Sequence, residues 1–216
     1  METRTAGDPA APAQTTNAPH DLDRVVEILA GAFYHDPLWA WAFHDDDLRA
    51  GQHGRFWRLF IEGASRFPGV WLDASRSATA VWIPPGESEL SPAQEEQFRP
   101  MLEELLDPAG VGRVLSASAA LDAAHPVDVP HHYLTLLGTD PASTAQGLGL
   151  GLLRDTLTVV DADGLPAYLE ASNAANVPLY ERYGFRVRSV IEIGGDCPDV
   201  YGMWRDPVVA SSSPKG

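Results

Sequence analysis

Six residues, Gln146-Gly147-Leu148-Gly149-Leu150-Gly151, limit the fold more than any other segment of the chain, because of what flanks them. The run before them, HHYLTLLGT (131–139), reads as a strand, and the run after them, LLRDTLTVVDA (152–162), reads as a helix that stops at Asp163-Gly164. A second strand-like run, PAYLEAS (166–172), follows. Strand, glycine turn, helix and strand make a βαβ crossover, which lays its two strands parallel in one sheet. The fold class is therefore α/β.

The turn also has chemistry. With no side chains at 147, 149 and 151, its backbone N–H groups can approach a ligand closely. The helix that follows adds about half a positive charge at its N-terminus. Together these features cradle a pyrophosphate, although a plain tight turn would use the same residues. A P-loop is excluded, because it needs Gly-Lys-Ser/Thr and the chain's single lysine is Lys215. The dinucleotide fingerprint wants a third glycine where Leu152 stands, but Glu170 at the end of the next strand keeps a nucleotide reading open.

The rest of the chain supplies one domain, expected over 13–208 between a disordered tail (1–12) and a flexible one (209–216). Its apolar fraction of 44% with six Trp is enough to close a core without disulfide or metal staples. Cys197 stands alone, which excludes a disulfide framework and a Cys-rich zinc site; no metal is expected. A helix capped by Asp21 runs to Phe33, Pro37 breaks the aromatic stretch after it, and a second helix spans Arg49–Arg66. GVWLDA (69–74) and SATAVWIPP (77–85) read as a β-hairpin. Residues 86–130 read as a helical insertion of two helices, and strands near 185–193 and 200–206 close the chain.

The formal charge of -15 repels phosphate backbones, so no nucleic-acid partner is expected, and it favours cationic amines. No apolar run approaches the ~20 residues of a membrane helix, and the N-terminus is not a secretory signal. A cytoplasmic monomer or homodimer is the expectation.

Gln146-x-x-Gly149-x-Gly151, a helix, a strand, and then Asn173-x-x-Asn176-x-x-Leu179-Tyr180-Glu181-x-x-Gly184-Phe185 resemble the GNAT superfamily of acyl-CoA-dependent N-acyltransferases. The resemblance spans about Asp21 to Asp206, and AVWIPP, the insertion and NVPLYERYGF look most like the puromycin N-acetyltransferase group. It implies a single-domain mixed twisted sheet with two parallel, splayed central strands, helices on both faces and acetyl-CoA as co-substrate. Main-chain groups of Leu137, Gly138 and Thr139 would meet the pantetheine arm, and the loop from Gln146 with the amides of Gly147, Leu148, Gly149, Leu150, Gly151 and Leu152 would hold the pyrophosphate. Two features depart from the family pattern: the loop between Pro141 and Gln146 is longer than usual, and Leu148 replaces a common Lys or Arg.

Acetyl transfer needs a neutral amine, a polarised thioester and a proton for the departing thiolate. Tyr180 stands where the family places that general acid, with Tyr183 as competitor; a free Tyr, with pKa about 10, holds its proton at neutral pH. Asn176, just before Val177-Pro178, reads as a helix N-cap, and Asn173 as a loop residue that reaches the pantetheine amides. The general base stays open among Glu170, His131, His132 and a water chain, with Tyr34, His35, Asp36 and Trp39 expected to shape the acceptor pocket. The resemblance implies direct attack by a primary amine, expected to be a small molecule. A protein N-terminal acetyltransferase or a non-catalytic acyl-CoA-binding module are the alternatives.

Overall fold

The computed structural model of the protein describes residues 13–16 and 18–208, so both expected tails lie outside the described residues. In chain order the elements are β1 (Gln14–Thr15), α1 (Pro19–Ala32), α2 (Pro37–Ala42), α3 (Asp46–Ala64), β2 (Val70–Leu72), β3 (Ala78–Ile83), α4 (Pro92–Leu105), α5 (Pro108–Ala124), β4 (His132–Thr139), α6 (Leu148–Ala162), β5 (Ala167–Ala171), α7 (Val177–Glu181), β6 (Arg186–Ile191) and β7 (Val200–Arg205). Turns of 3-10 helix fill Pro141–Gln146 and Ala174–Asn176.

The prolines that punctuate the sequence start helices as much as they stop them. Asp36, Ser91 and Asp107 each precede a proline, and each accepts hydrogen bonds from first-turn amides of α2, α4 and α5. Proline loses nothing in a first turn, where its missing N–H would have no intrahelical acceptor. Ser91 and Gln94 close a full capping box. Asp21 does not cap α1: Ala18 holds that position with no side-chain bond, and Asp21 lies one turn in, where it accepts from Thr16 Oγ1 at 2.6 Å.

Seven strands form one mixed sheet in the order β1-β2-β3-β4-β5-β7-β6. All neighbours are antiparallel except β4 and β5, the expected parallel pair. The hairpin β2–β3 forms as expected; the two-residue β1 is too short to carry an alternation that would announce it. α1 and α3 cover one face of the sheet, with Val25, Leu29, Phe56 and Trp57 buried against Val81, Ile83 and Leu136. α6 covers the other face, with Leu153 and Leu157 against Ala80, Leu134, Leu169 and Met203. The helical insertion α4–α5 packs back on α3, α2 and β6. No helix among the described residues is long and apolar enough to cross a membrane.

Candidate active site

β4 and β5 pair only from His132–Leu134 to Ala167–Leu169; beyond that β4 runs on to Thr139 without β5 beside it. A bulge helps part them. Val81 of β3 pairs with Leu136 while the next residue, Trp82, pairs with Leu134, so Thr135 has no partner on β3. The extra residue reverses the alternation: Leu134 packs on the α6 side and Leu136 on the α1–α3 side. Past the bulge, the β5-facing edge of β4 offers main-chain groups that β5 does not pair.

A cavity of about 440 Å³ opens at this gap. Thr135, Leu137, Glu170 and Ser172 come to it from the parted strands, and Asn176 and Tyr180 come from α7 and the turn before it. Trp39, Trp57, Phe60 and Phe98 line an aromatic wall, and α4, α5 and the loop before them bring Glu89, Glu95, Asp122 and His125. A larger groove, about 680 Å³, lies between α6 and β6–β7 and contains Tyr183. It is open to solvent and reaches neither Tyr180 nor the strand gap. The smaller, more enclosed cavity is the candidate site.

The Tyr180 hydroxyl has no hydrogen-bond partner among the described residues, and burial and the Asp36 charge push its pKa up to about 12. Burial and the charges of Glu170 and Asp122 push Glu89 up to about 8, and Thr135 Oγ1 donates to it. Burial and the charges of Glu170 and Glu95 also raise Asp122. The Glu170 side chain, 8% exposed, faces the His125 imidazole, with Nδ1 3.7 Å from Oε1. The Tyr133 and Tyr168 hydroxyls lie beside Glu170, and burial and the Glu170 charge raise both. His125 Nε2 meets His131 Nε2 at 3.1 Å, and His131 Nδ1 donates to the Val129 carbonyl at 2.7 Å.

The glycine turn divides its labour. Gly147 takes the left-handed conformation, φ 69°, and starts α6. A Cβ at Gly149 would lie 2.5 Å from Thr139 Oγ1, so this glycine serves the close packing of α6 on β4. Nothing lies within 4 Å of a Cβ at Gly147 or Gly151, which leaves room in front of the α6 N-terminus. Asp140 caps the 3-10 turn before it, and Arg24 of α1 holds Asp140. A pyrophosphate fits this end, and a pantetheine arm fits the free edge of β4.

Several expected site residues stand elsewhere. Tyr34 donates its hydroxyl to the Asp46 carbonyl and sits under the Arg49 guanidinium, outside the cavity. His132 points away from the cavity; its Nε2 lies 2.9 Å from Asp163 Oδ2, off line for a hydrogen bond. Asp36 is spent on structure: one oxygen caps α2 and the other accepts from Ser172 at 2.7 Å. The two asparagines exchange parts. Asn173 makes the capping bond, to the Ala175 amide, whereas Asn176 makes no side-chain cap and lines the cavity. Of the expected coenzyme residues, Leu137 and Asn176 line the cavity; Asn173 lies after β5, and the others lie along β4, in the turn after it and at the α6 N-terminus, outside the cavity.

The acetyltransferase (GNAT) family model matches residues 68–185. An uncharacterised N-acetyltransferase of Schizosaccharomyces pombe is 33% identical over 193 residues, 82% of this chain and 75% of that protein. Two solved structures share the fold. One, described as histone acetyltransferase HPA2 and related acetyltransferase, from Corynebacterium glutamicum, aligns at a TM-score of 0.67 and 21% identity, over 94% of this chain and 99% of that one. The other, a Drosophila melanogaster polyamine N-acetyltransferase, aligns at 0.61 and 16%, over 90% and 98%.

Proposed function

The chain belongs to the acetyltransferase (GNAT) family, an acyl-CoA-dependent enzyme, and from that premise we propose that it acetylates a small-molecule primary amine by direct attack on acetyl-CoA. One observation carries this reading: Tyr180 and Glu170 line one cavity where β4 and β5 part. The acceptor nitrogen gives its proton to Glu170, which hands it on through His125. The neutral nitrogen attacks the thioester carbonyl carbon, and main-chain N–H groups of β4 around Leu137–Thr139 stabilise the oxyanion. As the C–N bond forms and the C–S bond breaks, Tyr180 protonates the thiolate. The pyrophosphate rests on the N-terminal turn of α6.

The amine-sized cavity supports a small acceptor, and the Drosophila relative is named for polyamine acetylation and N-acetylagmatine formation. The α4–α5 insertion, which underlies the likeness to the puromycin group, walls the acceptor side. Thiol release from acetyl-CoA with a panel of amines tests the reading. Tight acetyl-CoA binding with no thiol release for any amine would reassign the protein as an acyl-CoA-binding module.

A further inference from the structure

Five carboxylates, Glu87, Glu89, Glu95, Asp122 and Glu170, line the active cavity, with His125 as the nearest thing to a counter-ion and no arginine or lysine among its lining residues. Arginines on the helices and strands of the same fold are held elsewhere, Arg24 by Asp140, Arg49 by Asp46, Arg113 by the Trp41 carbonyl and Arg205 by Asp161. Acidic lining is odd beside a co-substrate that is itself an anion. The missing positive charge has to arrive with the acceptor.

A monoamine does not meet that need, because its nitrogen must be neutral to attack. Once its proton has passed to Glu170, it offers no cation to the other carboxylates in a cavity partly shielded from water, which is costly. An acceptor with two basic nitrogens satisfies both demands, one nitrogen neutral at the thioester and one held as a cation. We propose that the acceptor is a dication, a diamine or aminoalkyl-guanidine, whose distal cation docks at Glu89 and Asp122 while its near nitrogen faces Glu170 and Tyr180. This rests on the acetyltransferase reading above.

Two further observations support this placement, one at each end of the acceptor. Glu170 is a buried carboxylate that lines the cavity, with the neutral Tyr133 and Tyr168 hydroxyls beside it and His125 Nδ1 3.7 Å away, so its neighbours bring no arginine or lysine charge to it. Burial and the charges of Glu170 and Asp122 raise Glu89, and burial with the charges of Glu170 and Glu95, offset in part by His125, raises Asp122; a docked cation would favour the ionised form of both. The aromatic wall of Trp39, Phe60 and Phe98 suits the alkyl spacer and adds cation–π attraction. Glu87 and Glu95, more exposed, draw the cation in from the rim.

The charge requirement also fixes the product. Once one nitrogen becomes an amide, the acceptor is a monoamine, so a second acetylation has lost its anchor. The test compares a series of α,ω-diaminoalkanes with n-alkylamines of matched length, by thiol release and by calorimetric titration of each amine into the protein–CoA complex. The diamine of best length should exceed its matched monoamine by at least about tenfold in kcat/KM and in affinity. It should yield monoacetylated product only. Glu89→Gln with Asp122→Asn should erase the ratio while the KM for acetyl-CoA stays put. Equal handling of diamines and monoamines, accumulation of diacetylated product, or an advantage that survives the double substitution would each overturn the proposal and leave acetyl transfer standing. If no amine releases thiol, the transferase reading fails, and calorimetry still decides whether the cavity prefers a dication.

Discussion

His125 and His131 face each other Nε2 to Nε2 at 3.1 Å, and only one of the two can carry the proton between them. His131 Nδ1 faces a carbonyl and so bears hydrogen, and burial lowers the His131 pKa, which keeps the ring neutral and its Nε2 bare. His125 Nε2 is therefore the donor, and His125 Nδ1 is turned to Glu170. The pair sets the tautomer of the group to which Glu170 would pass its proton in the proposed reaction.

That arrangement predicts a pH signature. Glu170→Gln should lower kcat/KM by roughly 10²–10⁴-fold near neutrality, the usual worth of a general base. The deficit should shrink as pH rises toward the pKa of the amine, where the acceptor arrives already neutral. His125→Gln should show the same trend with a smaller loss. A deficit constant across pH would show that Glu170 only shapes the pocket.

Gly149 and Thr139 make a second prediction. A Cβ at Gly149 would meet Thr139 Oγ1 at 2.5 Å but Thr139 Cβ at 3.9 Å, so the conflict is with the hydroxyl alone. Gly149→Ala should cost about 1–3 kcal/mol of stability. Thr139→Ala in the same chain should recover most of it, a coupling that denaturant titration of the four-variant cycle measures. Additive losses would show that helix and strand are not in the close contact described.

The crossover, the hairpin and the Tyr180 motif were legible in the sequence because each is local: alternation, a glycine at a forced turn, and a helix that starts at a proline. The acidic end of the cavity was not. Glu89 lies 46 positions before the Thr135 that donates to it, and His125 is the residue that ends α5. Only the fold-back of the insertion brings them to Glu170, and in the sequence Glu89 and His125 read only as part of the helical insertion over 86–130. His132 was misplaced for a different reason. Alternation turns it away from Tyr133, the β4 neighbour that lines the cavity. Asn173 and Asn176 are interchangeable by residue type, so only geometry could say which one caps.

Glu89 should make stability fall as pH rises. Its folded pKa, about 8, exceeds the 4.5 of an unperturbed Glu, so between these values the folded state binds more protons than the unfolded one. Unfolding free energy therefore decreases with increasing pH in that window, by about 1.4 kcal/mol per pH unit at full effect. Glu89→Gln stays neutral throughout and should flatten the slope, so that the variant is the more stable protein above pH 8. Parallel stability–pH curves for the two proteins would show that Glu89 is ionised freely in the fold.

Tyr180 and Tyr183 leave one short helical segment for two different compartments. Tyr180 enters the cavity at the strand gap, whereas Tyr183 lines the open groove and its carbonyl accepts from Arg205 Nε at 2.8 Å. In the proposed reaction only the first hydroxyl is placed to serve the thiolate. Because burial and the Asp36 charge push it up to about 12, it holds its proton across the neutral range and can give it as the C–S bond breaks. Tyr180→Phe keeps the ring packed against Phe185, 6.2 Å away centroid to centroid, and removes only that proton. The expected result is a fall in kcat of roughly 10²–10⁴-fold, with acetyl-CoA affinity within a few-fold of the parent. Tyr183→Phe should leave kcat near the parent value. Thioesters with a better leaving group sharpen the test, since a thiolate of lower pKa needs less help and should rescue Tyr180→Phe but leave the parent nearly unchanged. A Tyr180→Phe deficit that ignores the leaving group would mean that the hydroxyl positions the substrate and does not protonate the thiolate.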